Sequence, residues 1–337
     1  MTNFTAPTTT KCLIATAVNT VEIKERKLEA LAAGQVRVKT EYSMVSTGTE
    51  LHRIQATHTA NRPFPTATGY IAIGTVVGLG EGVTAWRLGD RVLAGTGHHG
   101  MMDTPAERCT AVPDGVASRD AVCTPLLSIS IRGVRAAKLA LGDSAAIFGQ
   151  GVIGVFATHL ARLAGACPVI AVDPVAARRD TARTMGADAT IDPLQEDVAA
   201  RIRSLTDGRG VSAAIEATAT PRVAASLPSH VRDEGRIVIL GGVHGKVEMD
   251  LYTHFQKSNQ TMVGTGSAFH ADYPFDTDAA NYAAILHLMR AGRIRPAPAI
   301  THCVPYTEGP AVYRLLIAEK DKANGVQFEW ASCSANP

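Results

Sequence analysis

The sequence predicts an α/β protein of two domains, a β-rich barrel-like domain followed by a doubly wound parallel sheet. Two observations carry this expectation. Short strand signals punctuated by Gly, Pro, Asn and Asp fill residues 1–123, and from about Thr124 apolar runs alternate with amphipathic helical stretches. In the first domain the clearest strands are Lys11–Ala17, Val36–Tyr42, Ile71–Leu79 and Arg91–Ala94, the last fed by a Gly89-Asp90 turn. In the second, strands are expected at Ser144–Phe148, Val169–Asp173, Ala189–Ile191, Ala213–Glu216 and Arg236–Leu240. Helices fall between them at Gly151–Ala164, Ala176–Met185, Asp197–Leu205 and Pro221–His230. A last strand is expected within Thr261–Gly266 and a helix over Asp278–Ala291. The domain limits read as 1–123 completed by 268–337, with 124–267 between.

Composition bounds the function. Hydrophobic residues make up 46% and charged residues 19% of 337, enough for a sizeable core. The net charge of +2 is scattered and forms no basic stripe, which argues against a nucleic-acid partner. No apolar run reaches membrane-spanning length, so no membrane partner is expected. The first residues lack a charged segment followed by an apolar one, so a cytoplasmic location is expected. None of Cys12, Cys109, Cys123, Cys167, Cys303 and Cys333 lies at CxxC spacing, which fits reduced, largely buried thiols rather than a structural zinc knuckle.

The most specific motif is Ala145-Ala-Ile-Phe-Gly149-Gln-Gly151-Val152-Ile153-Gly154, an apolar run, a glycine turn and the start of a helix. In a Rossmann dinucleotide site Gly149 permits the turn and Gly151 lets the backbone approach a pyrophosphate. Gly154 lets helix and strand pack closely, and the helix N-terminus faces the phosphates. Asp173 ends the next strand, 19 residues beyond Gly154, where a carboxylate binds the adenosine ribose. That acid repels a 2′-phosphate, so NAD is favoured over NADP. The following Arg178 and Arg179 soften the preference if they face the ribose, and not if they are solvated helix surface.

Taken together, the chain resembles the medium-chain dehydrogenase/reductase superfamily, in its alcohol dehydrogenase-like group. The residues that carry the match are Glu41 to His52, Pro65 to Gly78, Leu88-Gly-Asp-Arg-Val92, Leu141-Gly142 and Leu240-Gly-Gly242. The resemblance covers nearly the whole chain and implies a GroES-like catalytic domain, a nicotinamide cofactor and a homodimer or tetramer joined edge to edge. Ser46-Thr-Gly-Thr-Glu50 also resembles bacteriochlorophyllide dehydrogenase-like members, which oxidise a hydroxyethyl side chain. The stretch is too short to carry that substrate over.

The departures from the family are informative. Aligned with its first catalytic segment, Thr47 stands where metal-dependent members have a cysteine. Tyr70 replaces the ligating histidine, Ile71 the following glutamate, and Thr124 occupies the third-ligand position. Two threonines and a neutral tyrosine are not zinc donors, so no zinc is expected. Thr49 and His52 match the family's proton relay, with Thr49 at the substrate oxygen and His52 as outer base. Tyr70 reads either as the hydrogen-bond donor that replaces the ion or as a filler of its space, and Glu50 as the acid that orients it. The resemblance brings the His98-His99 loop to the substrate pocket, the alternative being exposed loop histidines. It places Ser128 against the nicotinamide, Gly242 and His244 at its edge, and Thr218 on the ribose side. The expected activity is zinc-independent hydride transfer between NAD(H) and a secondary alcohol or ketone, such as a polyol, sugar derivative or natural-product alcohol. Reduction of an activated C=C bond, as in quinone or enoyl reductases, and a non-catalytic nucleotide sensor remain as alternatives.

Overall fold

The structure is a computed structural model and describes residues 8–57, 63–266 and 277–330. The N-terminal tail to Pro7, Cys333 and the stretch 268–276 assigned above to the catalytic domain lie outside them. In chain order, the elements begin with β1 (Thr9–Ala17), β2 (Thr20–Lys27), β3 (Gln35–Val45), α1 (Thr47–Ile54), β4 (Thr66–Ala67), β5 (Ala72–Leu79), β6 (Arg91–Ala94), β7 (Met101–Pro105), β8 (Cys109–Ala111) and α2 (Ser118–Ala121). There follow α3 (Thr124–Ala136), β9 (Ala145–Phe148), α4 (Val152–Leu163), β10 (Val169–Val172), α5 (Ala176–Thr184), β11 (Ala189–Ile191), α6 (Val198–Leu205), β12 (Val211–Glu216), α7 (Pro221–Ser226), β13 (Val231–Ile239), β14 (Thr261–Gly264) and α8 (Asp278–Arg290). The described chain closes with β15 (His302–Pro305), α9 (Gly309–Ala318) and β16 (Val326–Glu329).

The chain forms two compact units. One comprises Met1–Thr124, Leu286–Gly292 and Ile300–Pro337, the other Pro125–Ile285 and Arg293–Ala299. The first boundary lies one residue from the expected one. The return to the first unit comes later than residue 268, for a physical reason. Arg132 and Arg135 of α3 bond Asp278 and Asn281 of α8, and His159 of α4 meets the Arg293 carbonyl at 3.2 Å.

In the second unit six strands form one parallel sheet in the order β11-β10-β9-β12-β13-β14. Numbered within the unit this is 3-2-1-4-5-6, the doubly wound dinucleotide-binding order. β9 and β10 read Ala-Ala-Ile-Phe and Val-Ile-Ala-Val and are buried at every position, as strands covered on both faces must be. The expected helix Pro221–His230 ends early and continues as a 3-10 turn, Leu227–His230, because Pro228 cannot continue the α-helical ladder. The order reverses between β9 and β12, and the glycine turn leaves β9 there.

The first unit holds two sheets. One runs β15-β16-β3-β5-β6-β8 with β7 also on β3, the other β2-β1-β4. The long β3 is central, and Leu13, Val45, Ile54, Tyr313, Phe328 and Trp330 pack in one core beside it. β3 ends at Val45, and Ser46 turns the chain directly into α1, so the catalytic segment hangs from the middle of the sheet.

Candidate functional site

The glycine turn fits a dinucleotide. Gly149 has φ +89°, and a Cβ there would stand 2.8 Å from Thr218 Cγ2, which places Thr218 against the turn. A Cβ on Gly154 would lie 1.8 Å from the Gly149 carbonyl oxygen, so α4 packs on the turn only with glycine there. Gly151 caps α4 without a side chain and faces open space, leaving the first amides of Val152 and Ile153 clear for an anion. Asp173, 3% exposed, accepts the Gln150 amide at 2.6 Å and the Val175 amide at 2.8 Å. A carboxylate has about four acceptor positions, so two remain for ribose hydroxyls. Arg179 is committed elsewhere, to the Asp173 carbonyl at 2.7 Å and the Asp192 carboxylate at 3.0 Å. Arg178 is half-buried on α5.

The other residues expected at the cofactor in this unit are placed as follows. Ser128 is 2% exposed and its hydroxyl donates to Asp278 at 3.4 Å, so it is held within the unit by α8. Thr218 donates both its amide and its hydroxyl to Glu216, which anchors the loop after β12. Gly242 and His244 are exposed beyond the end of β13.

In the catalytic unit the central group is Glu50, on α1 and 1% exposed. One carboxylate oxygen accepts the Ser46 amide at 2.8 Å. The other accepts the Gly69 amide at 3.0 Å and the Tyr313 hydroxyl at 2.5 Å, and meets His98 Nε2 at 3.2 Å. Burial pushes the Glu50 carboxyl up, but the neighbouring His98, with the hydrogen bonds from His98, Tyr313 and Ser46, outweighs it and holds the group below the usual carboxylate range. Burial and the Glu50 charge push the Tyr313 phenol well above its ordinary value. His98 Nδ1 meets Ser43 Oγ at 2.7 Å, and Trp330 Nε1 donates to that same oxygen at 2.8 Å.

This network corrects two expectations. Glu50 does not orient Tyr70: its lone pairs are taken by the groups above, and the Tyr70 hydroxyl donates to Ser46 Oγ at 2.8 Å. The histidine doublet does not face a pocket. His98 is 0% and His99 4% exposed, because His98 packs edge-on to Phe328 and His99 is drawn in by a bridge to Cys12. Thr49 and His52 are exposed on α1 three residues apart, hence on one helix face, and His52 Nδ1 lies 2.8 Å from Thr57 Oγ1. Thr47 is half-buried beside Ser46, and Thr124 is fully buried with no hydrogen-bond partner for its hydroxyl among the described residues.

Sequence reasoning did not find Ser43, Ser46, Tyr313 or Trp330. Tyr313 lies 263 positions from Glu50 and Trp330 lies 287 from Ser43, so no local pattern signals them. Ser46 carried no capping-box signal either, since Glu50 follows it by four residues rather than three. The thiols also differ in part: Cys12 and Cys123 are buried, but Cys109 and Cys303 are only half-buried and Cys167 is exposed.

The comparisons agree with this architecture. Residues 32–161 match the alcohol dehydrogenase GroES-like domain, and residues 152–280 match the zinc-binding dehydrogenase model. The D-guloside 3-dehydrogenase of Escherichia coli strain K12 is 29% identical over 234 residues, covering 61% of this chain and only 66% of that relative. The L-threonine 3-dehydrogenase of Pyrococcus furiosus is 27% identical over 315 residues, 83% of this chain and 87% of its own. In fold, the 2R,3R-butanediol dehydrogenase of Bacillus subtilis superposes with a TM-score of 0.82 at 21% identity, over 95% of this chain and 99% of that one. The chain belongs to the medium-chain dehydrogenase/reductase superfamily, in its alcohol dehydrogenase-like group. The zinc in a family model's name does not bring ligands with it. The residues expected at the metal positions are Thr47, Tyr70 and Thr124, and hydroxyl donors of this kind do not fit a zinc ion.

Proposed function

We propose that this chain transfers hydride between NAD(H) and a secondary alcohol or ketone, without zinc. One observation carries the reading: a glycine turn that fits a dinucleotide occurs in the same chain as a catalytic segment whose metal positions hold hydroxyls. The relatives named for a guloside, for threonine and for butanediol all have hydroxyl-bearing substrates in their names, which favours a polyol, sugar derivative or similar alcohol.

When bound, the nicotinamide supplies or accepts the hydride. Asp173 would hold the ribose hydroxyls and the first amides of α4 the pyrophosphate. Asp173 repels a 2′-phosphate, and the charge of Arg179 is already neutralised by Asp192, which supports NAD over NADP. Thr49 takes the hydroxyl proton of the alcohol and the exposed His52 passes it to solvent. Hydroxyls around Tyr70 stabilise the charge on the carbonyl oxygen in place of an ion. The assembly we propose is a cytoplasmic homo-oligomer joined at the edge strand β14. No helix among the described residues is long and apolar enough to cross a membrane.

Calorimetric titration with NADH and NADPH, elemental analysis and a turnover panel test this. NADH is expected to bind at least about 10-fold tighter than NADPH, a difference of about 1.4 kcal/mol. Turnover is expected on secondary alcohols and their ketones, with no stoichiometric metal. Turnover confined to enones or quinones would establish an alkene reductase instead. NADH binding with no turnover would establish a sensor, and stoichiometric zinc would overturn the metal-free chemistry.

A further inference from the structure

Ser46 is the N-cap residue of α1, yet its side chain makes no capping hydrogen bond. A serine in that place ordinarily turns its oxygen to the amide of the second or third helical residue. Glu50, one position beyond the residue that closes a capping box, reaches back to the Ser46 amide at 2.8 Å. What displaces the serine's own capping bond is Tyr70, whose phenol donates to Ser46 Oγ at 2.8 Å. The two hydroxyls own two protons. One lies between them, and the other, on Ser46, meets no acceptor among the described residues although Ser46 is only 8% exposed. Ser46 immediately precedes Thr47, the position of the family's cysteine ligand, and its backbone is pinned by the buried Glu50.

We propose that Ser46 is the catalytic donor to the substrate's carbonyl oxygen and that Tyr70 is its positioning residue. The inference rests on the hydride-transfer reading above. As hydride reaches the carbonyl carbon, negative charge builds on the oxygen. Ser46 Oγ–H stabilises it by a hydrogen bond and keeps its own proton. The proton that completes the alcohol arrives from solvent through His52 and Thr49. Tyr70, donating from behind, orients the serine hydroxyl and strengthens it as a donor, because hydrogen bonds in a chain polarise one another.

The test is steady-state kinetics of Ser46→Ala, Ser46→Thr, Tyr70→Phe and the double variant Ser46→Ala/Tyr70→Phe, with NADH affinity measured in parallel. Ser46→Ala is expected to lower kcat about 100-fold, as loss of one oxyanion donor does, with NADH affinity unchanged. Ser46→Thr, which keeps the hydroxyl, is expected to recover most of the loss. Tyr70→Phe is expected to cost about 10-fold, and the double variant no more than Ser46→Ala alone, because Tyr70 acts through Ser46. If Ser46→Ala does not fold, Ser46→Gly, which an N-cap tolerates, removes the hydroxyl in its place. An active wild type with a loss of less than about 3-fold in the serine variant, or fully additive losses in the double variant, overturns the inference alone. A wild type that turns over nothing on the panel overturns the hydride-transfer reading, and this inference with it.

Discussion

Gly69 is a single residue on which the Glu50 network depends. Its φ is +73°, and a Cβ there would stand 2.6 Å from His98 Cδ2. Its amide is also one of the donors to Glu50. Any side chain at this position forces the imidazole away from the carboxylate, and the left-handed backbone adds its own strain. Gly69→Ala is therefore expected to destabilise the catalytic unit by about 2–4 kcal/mol, from backbone strain plus a buried carboxylate left short of a donor. Gly48 is the internal control, since a Cβ there meets nothing within 4 Å and no positive φ is involved. Gly48→Ala, inside α1, is expected to be neutral or stabilising by up to about 1 kcal/mol. Urea unfolding of the two variants checks both. Equal midpoints would mean that His98 does not need the space above Gly69.

At the scale of the element, the turn between β9 and α4 separates binding from stability. A Cβ on Gly151 touches nothing among the described residues but would enter the open space at the start of α4, where the proposed pyrophosphate site lies. One on Gly154 drives into the Gly149 carbonyl. Gly151→Ala is expected to keep the melting temperature and weaken NADH at least about 10-fold, whereas Gly154→Ala lowers both. A Gly151→Ala protein that binds NADH normally would show that the dinucleotide does not approach this turn. This motif was legible in the sequence, as were the strands and helices around it, because a parallel sheet covered on both faces writes its strands as short apolar runs. β2 was not legible, for Thr-Val-Glu-Ile-Lys-Glu-Arg-Lys is an exposed, charged strand with little hydrophobic alternation. Nor was α1, whose Thr-Gly-Thr start has poor helix propensity and is held by the Glu50 side chain reaching back to the Ser46 amide. The distant partners of Glu50 were not legible either, because Gly69 and His98 come from loops and Tyr313 from α9, through contacts that only the finished unit creates.

Across the whole molecule, acid has a purchase on both units. Burial, with Arg26 and His98 nearby, lowers His99 to about 4, and burial, with Arg203 nearby and opposed by Asp197, lowers His230 to about 4. Each is packed as a neutral ring, His230 stacked on Phe148 at 5.3 Å, and Nδ1 of each is buried with no hydrogen-bond partner among the described residues. In the unfolded chain both titrate near the ordinary value of 6.5. Between about 6.5 and 4 the unfolded state therefore binds more protons, so stability is complete above that window and falls as the pH drops through it. Each histidine contributes about 1.4 kcal/mol per pH unit where its unfolded form is charged and its folded form is not. Glu50 acts in the same direction lower down: held below its ordinary value of 4.5, its stabilisation is present above that value and is lost as the pH falls through the folded value. Because His99 lies in the catalytic unit and His230 in the nucleotide unit, urea midpoints of both are expected to drop from pH 7 to pH 5. His99→Gln is expected to flatten the slope for the first unit and His230→Gln for the second. Equal midpoints at pH 7 and 5 in the wild type would mean that these rings open to solvent and accept a proton without loss of the fold.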